Sequence, residues 1–109
     1  MNWITRFLPE ADDDLNYLDG SVVKEVRKAI KKVGVNPLPI YEGGYGKPLG
    51  NKHGNDLTGL LKVKLAKVGI RIVYKLIRTE TEMLIIVIGA RADDEVYRTA
   101  KSRMKKYGI

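Results

Sequence analysis

The stretch LKVKLAKVGIRIVYK, residues 61–75, alternates like the two strands of a hairpin and carries Lys62, Lys64 and Arg71 within it. Side chains alternate faces along a strand, so Leu61, Val63 and Leu65 point one way while Lys62 and Lys64 point the other. On the second strand Ile70, Ile72, Tyr74 and Leu76 share one face, and Arg71, Val73 and Lys75 share the opposite one. The apolar sets must coincide. That requirement puts Leu65 opposite Ile70 and Lys64 opposite Arg71, and leaves residues 66–69 as a turn in which Gly69 can take positive φ. Lys62, Lys64 and Arg71 then crowd together on the face away from the hydrophobic core. Like charges facing each other across a ladder cost stability, so the patch asks for a reason. Cations so arranged can hold a phosphate and stabilise negative charge added to it. Crowded positive charge also disfavours protonation of a lysine, the condition under which an amine can act as a base.

Two further residues complete a possible constellation. Arg91 follows directly on the apolar run MLIIVIGA, and Tyr97 lies six residues later in what reads as a helix. Arg91 can turn back toward the cationic sheet face and Tyr97 can overhang it. Two lysines, two arginines and a tyrosine would then surround one concavity. The set contains no carboxylate pair, no metal-ligand cluster and no Ser/His/Asp arrangement.

The elements that must position these residues are legible from pattern. WITRFL reads as a short strand. PEADDDLNYLDG places Ala11, Leu15 and Leu18 at helical spacing, with Pro9 near the start and Glu10, Asp12 and Asp13 at the positive end of the helix dipole. GSVVKEVRKAIKKVG gives a stronger helix, with an apolar stripe of Val22, Val26, Ala29, Ile30 and Val33, Ser21 as N-cap and Gly34 as C′ residue. Regular patterning fails over residues 35–56, where prolines and glycines cluster, and a long functional loop is expected. Three strands follow, near residues 57–66, 70–77 and 83–90, the last apolar on both faces and therefore central. ADDEVYRTAKSRMKKYGI closes the chain as a helix, acidic first and basic last. Short turns between the late strands make them antiparallel. The expected fold is a single α+β domain spanning residues 1–109: an N-terminal strand, a helical hairpin, a three-stranded antiparallel meander and a C-terminal helix, with the helices packed on one face of the sheet.

Charge narrows the function. The net charge is +7. Residues 1–56 hold 8 Lys/Arg and 8 Asp/Glu, whereas residues 57–109 hold 12 and 5, so the whole excess lies in the half with the hairpin. A basic patch of this kind suits a polyanion, and nucleic acid is the commonest. With no cysteine, disulfides, thiolate metal sites and thiol nucleophiles are excluded. The start MNWITRFLPEADDD lacks the pattern of a signal peptide, and the longest apolar run is far short of the ~20 residues of a membrane helix. A soluble, cytoplasmic protein with no membrane partner is expected.

The segments LKVKLAKVGIRIVYKL and VIGARADDEVYRTAKSRM resemble the RelE-type toxins of the RelE/ParE superfamily, the toxin halves of bacterial type II toxin–antitoxin pairs. The shared pattern is a K-x-K strand, a turn, G-x-R-x-V-Y, an apolar strand ending in Arg, and a helix opening EVY. The resemblance extends over nearly the whole chain in element order, and five RelE active-site positions match Lys62, Lys64, Arg71, Arg91 and Tyr97. It implies a ribosome-dependent messenger-RNA endonuclease acting in the ribosomal A site, needing no metal or other cofactor, monomeric by itself and silenced by a cognate antitoxin. RNA brings its own nucleophile, the 2′-OH beside each scissile phosphate. The enzyme must activate that hydroxyl, stabilise the phosphate and protonate the leaving 5′ oxygen. In that scheme Lys64 is the general base, Lys62 and Arg71 stabilise the transition state, Arg91 serves the leaving-group side, and Tyr97 stacks on or orients a base. The G-x-R-x-V-Y pattern alone also occurs in non-nuclease relatives. A ParE-like, non-catalytic inhibitor of DNA gyrase and an inactive RNA-binding relative are therefore the competing readings.

Other signals are weaker. His53 is the sole histidine and sits in the glycine-rich loop, where an ordinary surface role is commoner than a catalytic one. GGYGKPLG does not match a P-loop, since Lys47 is followed by proline rather than Ser/Thr. Lys47, Lys52, His53 and Lys75 are nonetheless candidates for contact with RNA or the ribosome.

Overall fold

The structure, a computed structural model, describes residues 3–52, 54–90 and 92–109. Strands β1 (Ile4–Phe7), β2 (Lys47–Lys52), β3 (Asn55–Leu65), β4 (Ile70–Ile77) and β5 (Glu82–Gly89) form one sheet in the order β1-β5-β4-β3-β2. The helices are α1 (Pro9–Asn16), α2 (Gly20–Val33) and α3 (Asp93–Tyr107). The meander is antiparallel as its short turns require, and β1 joins it parallel to β5. The apolar character of β5 follows from this place, because Met83, Ile85, Ile86, Val87 and Ile88 are all buried between strands and helices on both sides. None of the helices is long and apolar enough to cross a membrane among the described residues.

The helices do not share one face of the sheet. Ile30 and Val33 of α2 meet Val63, Ile72, Tyr74, Met83 and Ile85 on one side. On the other side α3 reaches Lys62 through Tyr97 and Arg71 through Asp93. The reason is already in β5 and β3: Val87 and Leu60 project apolar surface opposite to that of Ile85, Ile88 and Leu61, and burying both faces takes helices on both. The cationic sheet face is therefore not turned away from the core. It is shared with the packing of Leu60, Val73, Val96, Tyr97 and Ala100, all 2% exposed or less.

Two cap assignments differ as well. The N-cap position of α2 is Asp19, without a side-chain cap bond, and Ser21 lies inside the helix. Gly34 ends α2 at φ −61°, so it does not need the left-handed conformation; its carbonyl instead accepts from Trp3 N–H at 2.9 Å. Pro9 does open α1.

The segment read as a loop contains the edge strand β2. Its Pro48 explains why the pattern hid it: a proline removes a ladder donor and is tolerated only at an edge, and the β2–β3 register shifts between Pro48 and Gly50. The preceding loop is pinned by the buried Tyr74, whose hydroxyl donates to the Pro37 carbonyl at 2.7 Å. Gly46 is obligatory there, since a Cβ would strike that hydroxyl.

Candidate active site

The β3–β4 register places Lys64 opposite Arg71 and Leu65 opposite Ile70, as the alternation requires. Gly69, in the turn, has φ +68°. On the next strand Gly89 lies opposite Arg71, and the chain then passes into α3. This helix crosses the cationic face, and its first two turns fix two of the cations.

Lys62 Nζ donates to Tyr97 Oη at 2.7 Å. The same nitrogen is 5.4 Å from the ring centroid, which matches a position at the hydroxyl end of the ring rather than over its face. The contact is a hydrogen bond and not a cation–π interaction. Arg71 Nε donates to Asp93 Oδ1, and its Nη1 donates to the Gly69 carbonyl at 3.3 Å. Lys64 is exposed beside Arg71, and among the described residues its ammonium has no hydrogen-bond or ion-pair partner. One cation of the cluster is thus free to meet a ligand while its neighbours are held in place.

Asp93 is the residue the sequence did not reveal. It reads as one of three acids favouring a helix N-terminus, yet it anchors Arg71. Partial burial pushes its carboxyl up, but the hydrogen bond from Arg71 and the positive charges of Lys62, Arg71 and Lys64 outweigh that and hold it below the ordinary aspartate range. The signal that could have found it is the register of β5 against β4, which puts Gly89, four residues before Asp93, opposite Arg71. That register slips by one residue between Val73 and Tyr74, skipping Ile86. The Ile86 carbonyl accepts from Arg103 Nη1 at 2.9 Å.

Tyr97 departs from its expected role. Its side chain is 2% exposed, so the ring offers no face on which a base could stack. Its hydroxyl orients Lys62 instead. Among the candidates for RNA contact, Lys47 lies directly opposite Lys62 across the β2–β3 ladder and is exposed, which extends the cationic face to the sheet edge. Lys75 is half-buried on the same face, opposite Leu60. Lys52 pairs with Asn55 at the far end of the hairpin, roughly 23 Å along β3 from Lys62 at ~3.3 Å per residue, and takes no part in the cluster. Arg91 and His53 lie outside the described residues.

The helix that covers this face is tied down at its other end. Arg103 forms a two-pronged pair with Asp14 of α1, at 2.6 and 3.1 Å, and Asp14 also accepts from Ile88 N–H at 3.0 Å. Lys106 and the Tyr107 hydroxyl both donate to Glu10, at 2.8 and 2.6 Å. Those hydrogen bonds hold the Glu10 carboxyl down at about 2.

Comparison with known proteins agrees on the fold. The free form of a doubly substituted Escherichia coli toxin RelE aligns with a TM-score of 0.68 and 24% identity over 95% of this chain and 99% of that one. The same toxin in complex with an antitoxin RelBc peptide aligns at 0.68 and 23%, covering 92% and 95%. A chain of the RelBE toxin–antitoxin complex from Mycobacterium tuberculosis aligns at 0.67 and 23%, covering 85% and 95%. No family model and no curated protein matches the sequence. The chain has the RelE fold.

Proposed function

We propose that this protein is the toxin of a type II toxin–antitoxin pair and a metal-independent endoribonuclease that cleaves messenger RNA in the ribosomal A site. The observation that carries the reading is the division of labour in the cluster: Lys62 and Arg71 are each fixed by a partner on α3, while Lys64 stands exposed between the turn and the sheet edge. A scissile phosphate seated here meets preorganised positive charge, which stabilises a pentavalent transition state without reorganisation. Lys64, exposed and opposite Arg71, acts as the neutral amine and takes the proton of the 2′-OH as that oxygen attacks phosphorus. The bond to the 5′ oxygen breaks, leaving a 2′,3′-cyclic phosphate, and the departing 5′ oxygen takes up a proton to become a 5′-OH, with Arg91 assigned to that side. Asp93 acts through Arg71 and Tyr97 through Lys62; both are positioning residues.

The fold neighbours include complexes with an antitoxin. We assign a cognate antitoxin as the protein partner here, and the ribosome with its messenger as the target.

The test is a translating ribosome programmed with a defined messenger, with RNA ends mapped for the wild type, Lys64→Ala and Arg91→Ala. Cuts at A-site codons by the wild type, lost in both variants, are the expected result. Intact RNA with the wild type overturns the endonuclease reading and moves the gyrase-inhibitor reading ahead, which a DNA supercoiling assay then decides.

A further inference from the structure

The cations of α2 lie on the side of the sheet away from the candidate active site. Lys24, Arg27, Lys28, Lys31 and Lys32 are all exposed on the outer side of a helix whose inner side buries Val26, Ile30 and Val33. Elsewhere Arg6, Arg71, Arg78, Arg103 and Lys106 each hold a carboxylate. Among the described residues none of the α2 cations is in an ion pair. Like charges three and four residues apart on a helix repel, and this stripe contains several such pairs, including Lys24 with Lys28, Arg27 with Lys31 and Lys28 with Lys32. The one contact it makes is aromatic: Lys32 Nζ lies 5.4 Å from the centre of the Tyr45 ring. Tyr45 is 48% exposed and its neighbour Tyr41 76%. Glu42, the nearby acid, is taken up by Arg78 at 2.6 Å. A row of cations outside any ion pair, with Glu25 as the one acid on the helix, thus ends at the exposed ring of Tyr45.

We infer that α2 and Tyr45 form a second RNA-binding surface, with phosphates along the helix and an unpaired base on the Tyr45 ring. Charge complementarity selects a polyanion, and an exposed ring at the end of the row favours single-stranded or looped RNA over a uniform duplex or an acidic peptide. The surface is not an extension of the substrate groove, because α2 covers the sheet face opposite to that of Lys62 and Arg71. The RNA it holds is therefore a docking RNA, distinct from the strand to be cut. This inference deepens the proposed function by assigning the contact that seats the protein on its ribonucleoprotein target.

The experiment measures binding to a fluorescein-labelled RNA stem-loop over a salt series, with no cleavage required, so its outcome is independent of the endonuclease reading. The Lys24→Gln/Lys28→Gln/Lys31→Gln triple variant keeps helix propensity, and circular dichroism verifies its fold. Its affinity should fall at least 10-fold at low salt, and the slope of log K against log salt should flatten by about 2. Tyr45→Ala should weaken binding several-fold and leave that slope unchanged. If the endonuclease reading holds, the triple variant raises KM for ribosomes and leaves kcat at saturation intact. A folded triple variant with wild-type affinity and slope overturns the inference, as does a loss of kcat with unchanged binding.

Discussion

The cationic sheet face and the cationic helix α2 are built from the same residue types and handle their charge in opposite ways. On the sheet, Arg71 is neutralised by Asp93, Lys62 is clamped by Tyr97, and α3 covers much of the surface. Along α2 five cations stand exposed around a single acid, Glu25, and among the described residues none is in an ion pair. Fixed charge in a partly enclosed site suits chemistry, because the stabilising groups are aimed before the reaction begins. Mobile lysines on an open helix suit adaptable phosphate contacts whose strength depends on salt. The first half of the chain is neutral by count, yet its acids gather on α1, where Glu10 and Asp14 bind α3, and its cations gather on α2. Counting charge along the sequence conceals a separation that folding makes.

The largest effect that would sharpen this contrast is kinetic. Lys64→Ala should lower single-turnover cleavage by roughly 10²–10⁴-fold, the usual range for loss of a general base, with the melting temperature nearly unchanged because Lys64 is exposed. Full cleavage by this variant would break the distinction, since the free lysine of the sheet would then be no more than a surface charge.

Tyr97 separates positioning from packing. Tyr97→Ala removes a buried ring and should cost about 3–5 kcal/mol in denaturant unfolding. Tyr97→Phe keeps the ring and should cost only about 1 kcal/mol, yet it releases Lys62 and should slow cleavage about 10-fold. Equal activity of Tyr97→Phe and wild type would show that Lys62 needs no orienting partner.

Relief of repulsion on α2 should act in the reverse direction. The triple glutamine variant is expected to be more stable than wild type by about 1 kcal/mol at low ionic strength, summing several pairs of ~0.2–0.5 kcal/mol. The gain should vanish near 1 M salt, where the screening length is only ~3 Å. Stability that is unchanged at low salt would mean that the stripe carries no strain in need of explanation.

Acid titration probes the remaining difference. Glu10 has a folded pKa of about 2 against an ordinary value of 4.5, and Asp93 is lowered in the same direction. A depressed carboxyl contributes stability that is fully present above its unfolded pKa and is lost as pH falls through the folded one. Unfolding measured from pH 5 to pH 2 should therefore show a loss that Glu10→Gln reduces, with Lys106 and Tyr107 releasing α1. The α2 variants should leave that slope unaltered, because none of the α2 cations contributes to the lowering of Glu10 or Asp93.

Much of the fold was readable because period and polarity agree along most of the chain. The alternation of Leu61, Val63 and Leu65 against Ile70, Ile72 and Tyr74 admits a single register, and a slip of one residue would turn every apolar side chain to the wrong face. The opposition of Lys64 and Arg71 followed from that alone. The helices of residues 9–16, 20–33 and 93–107 were marked by their stripes, and β5 by an apolar run that only a central strand can bury. What tertiary structure decided lies where local pattern carries no long-range information. Pro48 hid an edge strand that only pairing with β3 creates. The β4–β5 register, with its slip at Ile86, puts Gly89 opposite Arg71, and Asp93 of α3 then meets that arginine. The burial of Tyr97 under its own helix turned an expected stacking platform into a clamp on Lys62. Sequence specifies which side of each element is apolar, because that depends on neighbours along the chain. The partners of a polar group depend on how elements dock, and docking is settled by the packing of the whole core.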